Sequence, residues 1–296
     1  MENTLVLINK QYVIGKKIGN GSFGEVFQGV DRTDGTKLAI KMEHKSNKHQ
    51  ILTHEYEIYQ TIYTPHNYCA PRIYYFGMEG DYRVLVMDML GHSLESLFNK
   101  CGRRFSLKTV LMIADQLIAR IEYLHNNYYL HRDIKPENFL TGMGKNNDKI
   151  YLIDLGLAKK YRNATKHISY KDGNKLVGTA RYASINSHKG IQLSRRDDME
   201  SLGYMFIYFL KGGLPWQELD SKTKEEKYAK IKKMKESISL EELCKDIPVE
   251  FMNYLKHVKS LEFTSKPDYA YLKGLFTKLM DHLGYVYDLS FDWSKK

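Results

Sequence analysis

The sequence predicts an α+β protein in two parts, a small β-rich part followed by a larger helical one. Three observations predict it. From residue 12 to about 90 the chain reads as short apolar runs separated by turn residues: YVIGKKIG, GEVFQGVD, KLAIKME, PRIYYFGME and YRVLVMDML. One helical segment, at about 49–63, interrupts them. From about 93 onward the apolar period lengthens, with Leu107, Val110, Leu111, Ala114, Leu117, Ile118, Ile121 and Leu124 stepping by three and four along one helix face. The parts join near Asp88–Gly91, and clefts between two such parts are favoured places for small ligands.

Within the first part, Asp34-Gly35 and Gly80-Asp81 read as hairpin turns. The helix at 49–63 carries an inward stripe of Ile51, Leu52, Ile58, Tyr59 and Ile62, and Glu55 falls on that same face. In the second part IYLI (150–153) reads as an apolar strand. LGYMFIYFL (202–210) is the longest strongly apolar run, far short of the roughly 20 residues of a membrane span, and reads as a helix buried on all sides.

Composition excludes several classes. At 296 residues with 43% hydrophobic and 27% charged residues and no low-complexity tract, the chain is expected to bury a large core and not to be disordered. Its N-terminus lacks the basic and apolar regions of a secretory signal. Cys69, Cys101 and Cys244 are odd in number and form no CxxC, which suits a reducing compartment, cytoplasmic or nuclear. The formal charge of +10 fits nucleic acid, acidic membrane, acidic protein or a plainly solvated basic face, and composition does not choose among them.

The chemistry concentrates in four places. IGNGSFGEV (18–26) spaces Gly19, Gly21 and Gly24 as G-x-G-x-x-G, which lets backbone N–H groups approach phosphate oxygens. A strand-like run follows it, so it reads as a hairpin tip over a ligand and not as the opening of a dinucleotide-binding helix. Lys41 ends the strand LAIK. A carboxylate on a buried face needs a cation, so Glu55 is expected to pair with Lys41 and hold that ammonium ready for phosphate. Asp154, at the end of IYLID, suits either a Mg²⁺ ligand or a turn before glycine. In HRDIKPENF (131–139) Pro136 resists helix formation and makes a rigid loop. That loop can bring Asp133, suited to accept a hydroxyl proton, together with Asn138, suited to a second Mg²⁺ contact.

GNGSFGEV, AIK, Glu55, HRDIKPEN and DLG, in this order, resemble the eukaryotic protein kinases over nearly the whole chain. The resemblance implies a bilobal fold in a single catalytic domain over 1–296, with an N-lobe at 1–88, a hinge at 89–91 and a C-lobe at 92–296. It implies ATP and Mg as cofactors. Gly19, Asn20, Gly21, Ser22, Phe23 and Gly24 would cover the phosphates, and Lys41 paired with Glu55 would hold them. Asp133 would orient the substrate hydroxyl, with Lys135 near the γ-phosphate. Asn138 and Asp154 would hold the metal. Ile18, Val26, Ala39, Leu140 and Ile153 would form the adenine slot, with Met87 at its rear and Asp88, Met89, Leu90 and Gly91 supplying backbone hydrogen bonds. Lys135 and Thr179 fit the serine/threonine class.

Where most of these kinases have A-P-E, this chain has ASIN within GTARYASINSHKGIQLSRRDDMESLGY (178–204). That stretch, SLKTVLMIADQLIARIEYLH, LPWQ, KPDYAYLKGLF and the closing FDW resemble the casein kinase I family. This implies acidic or phosphorylated protein substrates, received by Arg181 and Lys227 near the acceptor site and by Arg132 and Lys159 at a second anion pocket. Arg195 and Arg196 are either structural or anion-binding. Asp198 matches the position that pins the catalytic loop. Three departures are Leu155 for phenylalanine, with Asp154 still expected to turn toward Mg²⁺, Asn174 for lysine in the second pocket, and the glutamates of TKEEKY (223–228). The expected protein is a constitutively active monomer without a C-terminal regulatory tail. The alternatives are a pseudokinase scaffold, against which Lys41, Asp133, Asn138 and Asp154 all stand, a nucleic-acid-binding module, for which no RRM, KH, zinc or helix-turn-helix pattern appears, and a small-molecule kinase, against which the peptide-platform-like Gly178–Asn186 stands.

Overall fold

Period-two alternation before residue 90 produces a single antiparallel sheet. The computed structural model describes residues 7–21, 24–64 and 69–294, and the statements below concern those. The strands are β1 (Leu7–Ile8), β2 (Tyr12–Gly21), β3 (Gly24–Asp31), β4 (Lys37–His44), β5 (Ile73–Glu79) and β6 (Tyr82–Asp88), with α1 (Ile51–Ile62) between β4 and β5. Their order is β1-β2-β3-β4-β6-β5. Gly80 adopts φ 58° in the two-residue turn between β5 and β6, a left-handed conformation that glycine takes without a Cβ clash.

Register sorts the sheet's two faces. Val26 pairs with Lys41, and Ala39 with Met87. Residues two apart share a face, so Val26, Ala39, Lys41 and Met87 lie together on one side. The other side is the apolar core of Ile8, Tyr12, Leu38, Ile40, Val84 and Val86. A one-residue slip would exchange these sets, so burial of the apolar set determines where Lys41 points.

The helices follow the 3.6-residue period. They are α2 (Leu94–Lys100), α3 (Leu107–Asn126), α4 (Ile185–His188), α5 (Arg195–Lys211), α6 (Lys224–Ser237), α7 (Leu240–Leu243), α8 (Val249–Ser260) and α9 (Tyr269–His282). Ser93 and Ser106 cap α2 and α3 by accepting hydrogen bonds from Ser96 N and Thr109 N. Every residue of α5 from Asp197 to Leu210 is buried, as the apolar run predicts. Among the described residues no helix is long and apolar enough to cross a membrane. Short strands β7 (Tyr129–Leu130) and β10 (Lys159–Lys160) pair, as do β8 (Phe139–Thr141) and β9 (Ile150–Leu152).

The chain divides into two compact units, Met1–His92 with Leu140–Leu157, and Ser93–Phe139 with Ala158–Lys296. The first is the β-rich unit and the second the helical one, the α+β division expected from the sequence. Residues 140–157, assigned by sequence to the C-lobe range, pack with the first unit. Gly91 N donates to Thr141 O at 2.7 Å, Thr141 N to His92 O at 3.0 Å, and Leu152 N to Cys69 O at 2.8 Å.

Candidate functional site

In the first unit, α1 buries Leu52, Ile58, Tyr59, Ile62 and with them Glu55, which is 1% exposed. Ile51, placed in the inward stripe by sequence, is only half-buried. Lys41 Nζ lies 2.5 Å from Glu55 Oε2 and 3.3 Å from Asp154 Oδ1. Burial opposes the Lys41 charge, but the two carboxylates outweigh it and raise the pKa well above the ordinary lysine value. Lys41 is therefore an ammonium at any working pH. Asp154 adopts φ 62°, and the next residue, Leu155, is fully buried where α1 meets residues 155–157. The apolar side chain at 155 thus anchors the turn that points Asp154 at Lys41.

Removing the ammonium isolates a buried carboxylate. Lys41→Met should lower stability by about 3–5 kcal/mol, and Lys41→Met combined with Glu55→Met should recover much of it. Denaturant melts of the four proteins in that cycle measure the coupling. Strictly additive losses would mean that the pair does not interact.

The residues named for an adenine slot also belong to this unit. Val26, Ala39 and Met87 share the Lys41 face, Leu140 and Ile153 are half-buried, and Ile18 is exposed. Of the stretch 88–91, Asp88 N already donates to Arg72 O and Gly91 N to Thr141 O. Among the described residues no such bond uses Met89 N or Leu90 N, which leaves these two as the N–H donors of the stretch. Gly19, Asn20, Gly21 and Gly24 sit where β2 turns into β3, with Gly21 opposite Gly24. Ser22 and Phe23 lie outside the described residues.

In the second unit the rigid loop forms as Pro136 predicts, a short 3₁₀ turn at Pro136–Asn138. Asn138 Nδ2 donates to Asp133 O at 2.9 Å, which brings the two residues together and leaves the amide oxygen open. Asp133 Oδ2 accepts from Lys135 Nζ at 2.7 Å, and Asp133 Oδ1 accepts from both Thr179 N and Thr179 Oγ1 at 2.8 Å. Burial works against the Asp133 charge, yet Lys135, Thr179 and His131 outweigh it and hold the carboxyl below its ordinary range. It is an ionised, oriented acceptor. Gly178 has φ 84°, and a Cβ there would run into the Arg132 carbonyl, so the approach of Thr179 to Asp133 depends on this glycine.

Asp198 holds the start of the loop. Its Oδ1 accepts from Arg132 N at 2.8 Å, and its Oδ2 from His131 N at 2.8 Å and from His125 Nε2 at 2.9 Å. Because a carboxylate only accepts, Nε2 of His125 carries the proton, and Nδ1 takes the Tyr269 hydroxyl at 2.7 Å. Arg132 sits at φ 68°, a conformation that the hydrogen bond from its backbone N–H to Asp198 helps to hold.

The stretch that stands in for A-P-E is tied to α5. Ser184 Oγ and Asn186 Nδ2 donate to Asp197 Oδ1 at 2.7 and 2.9 Å, and Ile185 N donates to Glu200 Oε1 at 3.0 Å. Two acids of one helix thus brace this backbone without the missing glutamate.

A protein kinase domain model matches residues 12–270. The chain belongs to the protein kinase family. The family accounts for nucleotide binding and phosphotransfer in general terms. In this kinase the Asp154 carboxylate of the first unit and the Asn138 amide oxygen of the second are each hard oxygen donors of the kind Mg²⁺ takes.

The basic residues named for anions divide into different settings. Arg181 lies with its guanidinium 5.7 Å from the ring centroids of Tyr182 and Tyr208. Lys227 is exposed on α6, and no hydrogen bond or ion pair among the described residues joins it to Arg181. Burial lowers the Lys159 pKa, and the charges of Arg132 and Lys171 lower it further, so these three cations share one electropositive neighbourhood. Sequence reasoning named Asn174 there and missed Lys171. Asn174 is turned onto Gly190 O, to which its Nδ2 donates at 3.0 Å. Arg195 and Arg196 are structural: Arg195 Nη2 donates to Thr264 O and Arg196 Nη1 to Leu261 O, both at 2.6 Å.

Proposed function

We propose that this kinase is a Mg- and ATP-dependent serine/threonine kinase of casein kinase I type, acting on acidic or already phosphorylated protein segments in the cytoplasm or nucleus. The observation that carries the reading is the Asp133 carboxylate, held on one oxygen by Lys135 and on the other by both donors of Thr179. A carboxylate so fixed accepts a hydrogen bond from an incoming hydroxyl in one direction only. Alignment of this kind, with neutralisation of phosphate charge, is most of what phosphoryl transfer asks of a protein.

In this reading Gly19, Gly21 and Gly24 cover the phosphates, and Lys41, fixed by Glu55, holds the α- and β-phosphates. Asn138 and Asp154 would each offer an oxygen to Mg²⁺, which would supply neutralisation of phosphate charge. Lys135 sits near the γ-phosphate and balances the charge on the transferred group. Asp133 orients the hydroxyl and takes its proton as the new O–P bond forms and the bond between the γ-phosphorus and the bridging oxygen breaks, with ADP as the leaving group. The low pKa of Asp133 makes it a weak base, so proton transfer comes late and orientation is its larger contribution.

The casein kinase I assignment is supported by the Ser184–Asn186 anchorage on Asp197 and Glu200 and by the clustered cations. Arg181 and Lys227 would receive an acidic or phosphorylated residue of the substrate, and Arg132, Lys159 and Lys171 a second anion. A panel of three peptides tests it: one acidic, one pre-phosphorylated three residues before the acceptor, one basic. The first two should exceed the basic peptide by about tenfold or more in kcat/KM. A basic peptide proving the best acceptor would remove Arg181 and Lys227 from recognition and leave the family membership intact.

A further inference from the structure

Lys235 of α6 is only 1% exposed, although α6 is otherwise a polar surface helix that buries little besides Ile231. Its hydrogen bonds run to two backbone carbonyls, Ala180 O at 3.0 Å and Ala183 O at 2.6 Å. Its ammonium also sits 4.9 Å from the ring centroids of both Tyr204 and Trp216. Trp216 in turn donates Nε1 to the intervening carbonyl, Arg181 O, at 2.7 Å. The carboxylate whose field bears on it, Glu200, is already engaged by Ile185 N and the Tyr204 hydroxyl. A buried ammonium is expensive, and packing alone would be served equally well by methionine. What methionine lacks is a donor for two carbonyls that flank Arg181.

We infer that Lys235 is a positioning residue for the peptide substrate: its ammonium locks the backbone of residues 180–183 and thereby presents the Arg181 side chain to the incoming segment. This rests on the peptide-kinase reading above and adds a residue to it. It also explains how the 178–187 stretch keeps its shape without an A-P-E glutamate. Asp197 and Glu200 hold residues 184–186 from one side, and Lys235 with Trp216 holds residues 180–183 from the other.

The charge on Lys235 is sensitive to conditions. Burial pulls its pKa down to about 7, with Glu200 opposing and Lys259 adding to the fall. The other groups facing it are Tyr204 on α5, whose pKa burial raises further from neutrality, and His188 on α4, which burial holds at about 4 and which is therefore neutral here. Lys232, on the same helix, bears on His188 as well. Below its pKa Lys235 is a full ammonium and grips both carbonyls. Above it the neutral amine donates more weakly, and the platform should loosen.

The test uses the whole chain, Lys235→Met and Lys235→Gln, and an acidic peptide that carries no phosphate, so that the peptide's own phosphate does not titrate in the same window. Thermal melts establish that each variant is folded. In Lys235→Met the KM for peptide should rise about tenfold, with kcat within about twofold and the KM for ATP unchanged. Lys235→Gln, which keeps N–H donors, should recover part of that loss. In the unsubstituted kinase the peptide KM should climb between about pH 6.5 and 8.5, and in Lys235→Met that climb should vanish. A folded Lys235→Met with the parental peptide KM, equal losses toward ATP and peptide, or a parental peptide KM flat with pH would each overturn the inference. A kinase that transfers no phosphate to any peptide would instead sink the reading on which it rests.

Discussion

Asp133→Asn is expected to reduce phosphate transfer to an acidic peptide by about 10³-fold, within the range associated with a positioned proton acceptor. The substitution leaves the fold almost untouched. Asparagine keeps one oxygen, which can still accept from Thr179 N and Oγ1, and loses only the charged contact with Lys135, itself partly exposed. The melting temperature should fall by no more than a few degrees. Nucleotide affinity should persist, because Lys41, Glu55 and Asp154 form their own cluster in the first unit. The two readouts, radiolabelled transfer and calorimetry, separate chemistry from folding. Transfer retained at a tenth of the parental rate or more would contradict the role given to Asp133.

Asp198→Ala should destabilise the fold as strongly as the loss of Lys41. It leaves the buried N–H groups of His131 and Arg132 and the His125 imidazole without their acceptor, a loss of about 3–5 kcal/mol. For a chain of this size that corresponds to a fall of about 5–8 °C in melting temperature. Asp198→Asn keeps one acceptor oxygen and should lie between the two. Hydrogen exchange should accelerate at His131–Asp133 beyond any general increase, and an unchanged exchange rate there would remove Asp198 from its positioning role. The pH dependence has a definite sign. Burial alone would raise the Asp198 pKa, but the hydrogen bond and electrostatic attraction of His125, the nearby His131 and the Arg132 amide outweigh it and hold the value below the ordinary carboxylate range. The stabilisation is therefore present above about pH 4 and is lost as pH falls through the lower folded value. The parental kinase should lose more stability on acidification than Asp198→Ala, in which only the other carboxylates contribute.

Much of the site could be read from local pattern. Glu55 on the apolar face of α1 required a cation, and Lys41 sits 2.5 Å away. Pro136 required a rigid loop, and Asn138 bonds back to Asp133. The buried α5 and the Gly80-Asp81 turn followed from an unbroken apolar run and a turn dipeptide. Local pattern gave no sign of contacts between residues with no common period. Asp198, whose hold on the loop came from the family resemblance and not from spacing, reaches His131 and Arg132, 67 and 66 positions earlier. Lys235 reaches Ala180 and Ala183, 55 and 52 positions earlier. In sequence Lys235 is one lysine among several on a polar helix, and nothing in its spacing distinguishes it from Lys232 or Lys233.

Composition and motif order by themselves determined the fold class, the family and the chemical types gathered for phosphoryl transfer, because backbone periodicity and turn chemistry are encoded within a few neighbouring residues. Tertiary structure alone decided which backbone donors of 88–91 remain available, which arginines are consumed by carbonyls, and which lysine is driven into the interior. Those outcomes depend on desolvation and on hydrogen-bond partners brought in from distant positions, and both quantities come into existence only when the chain is packed.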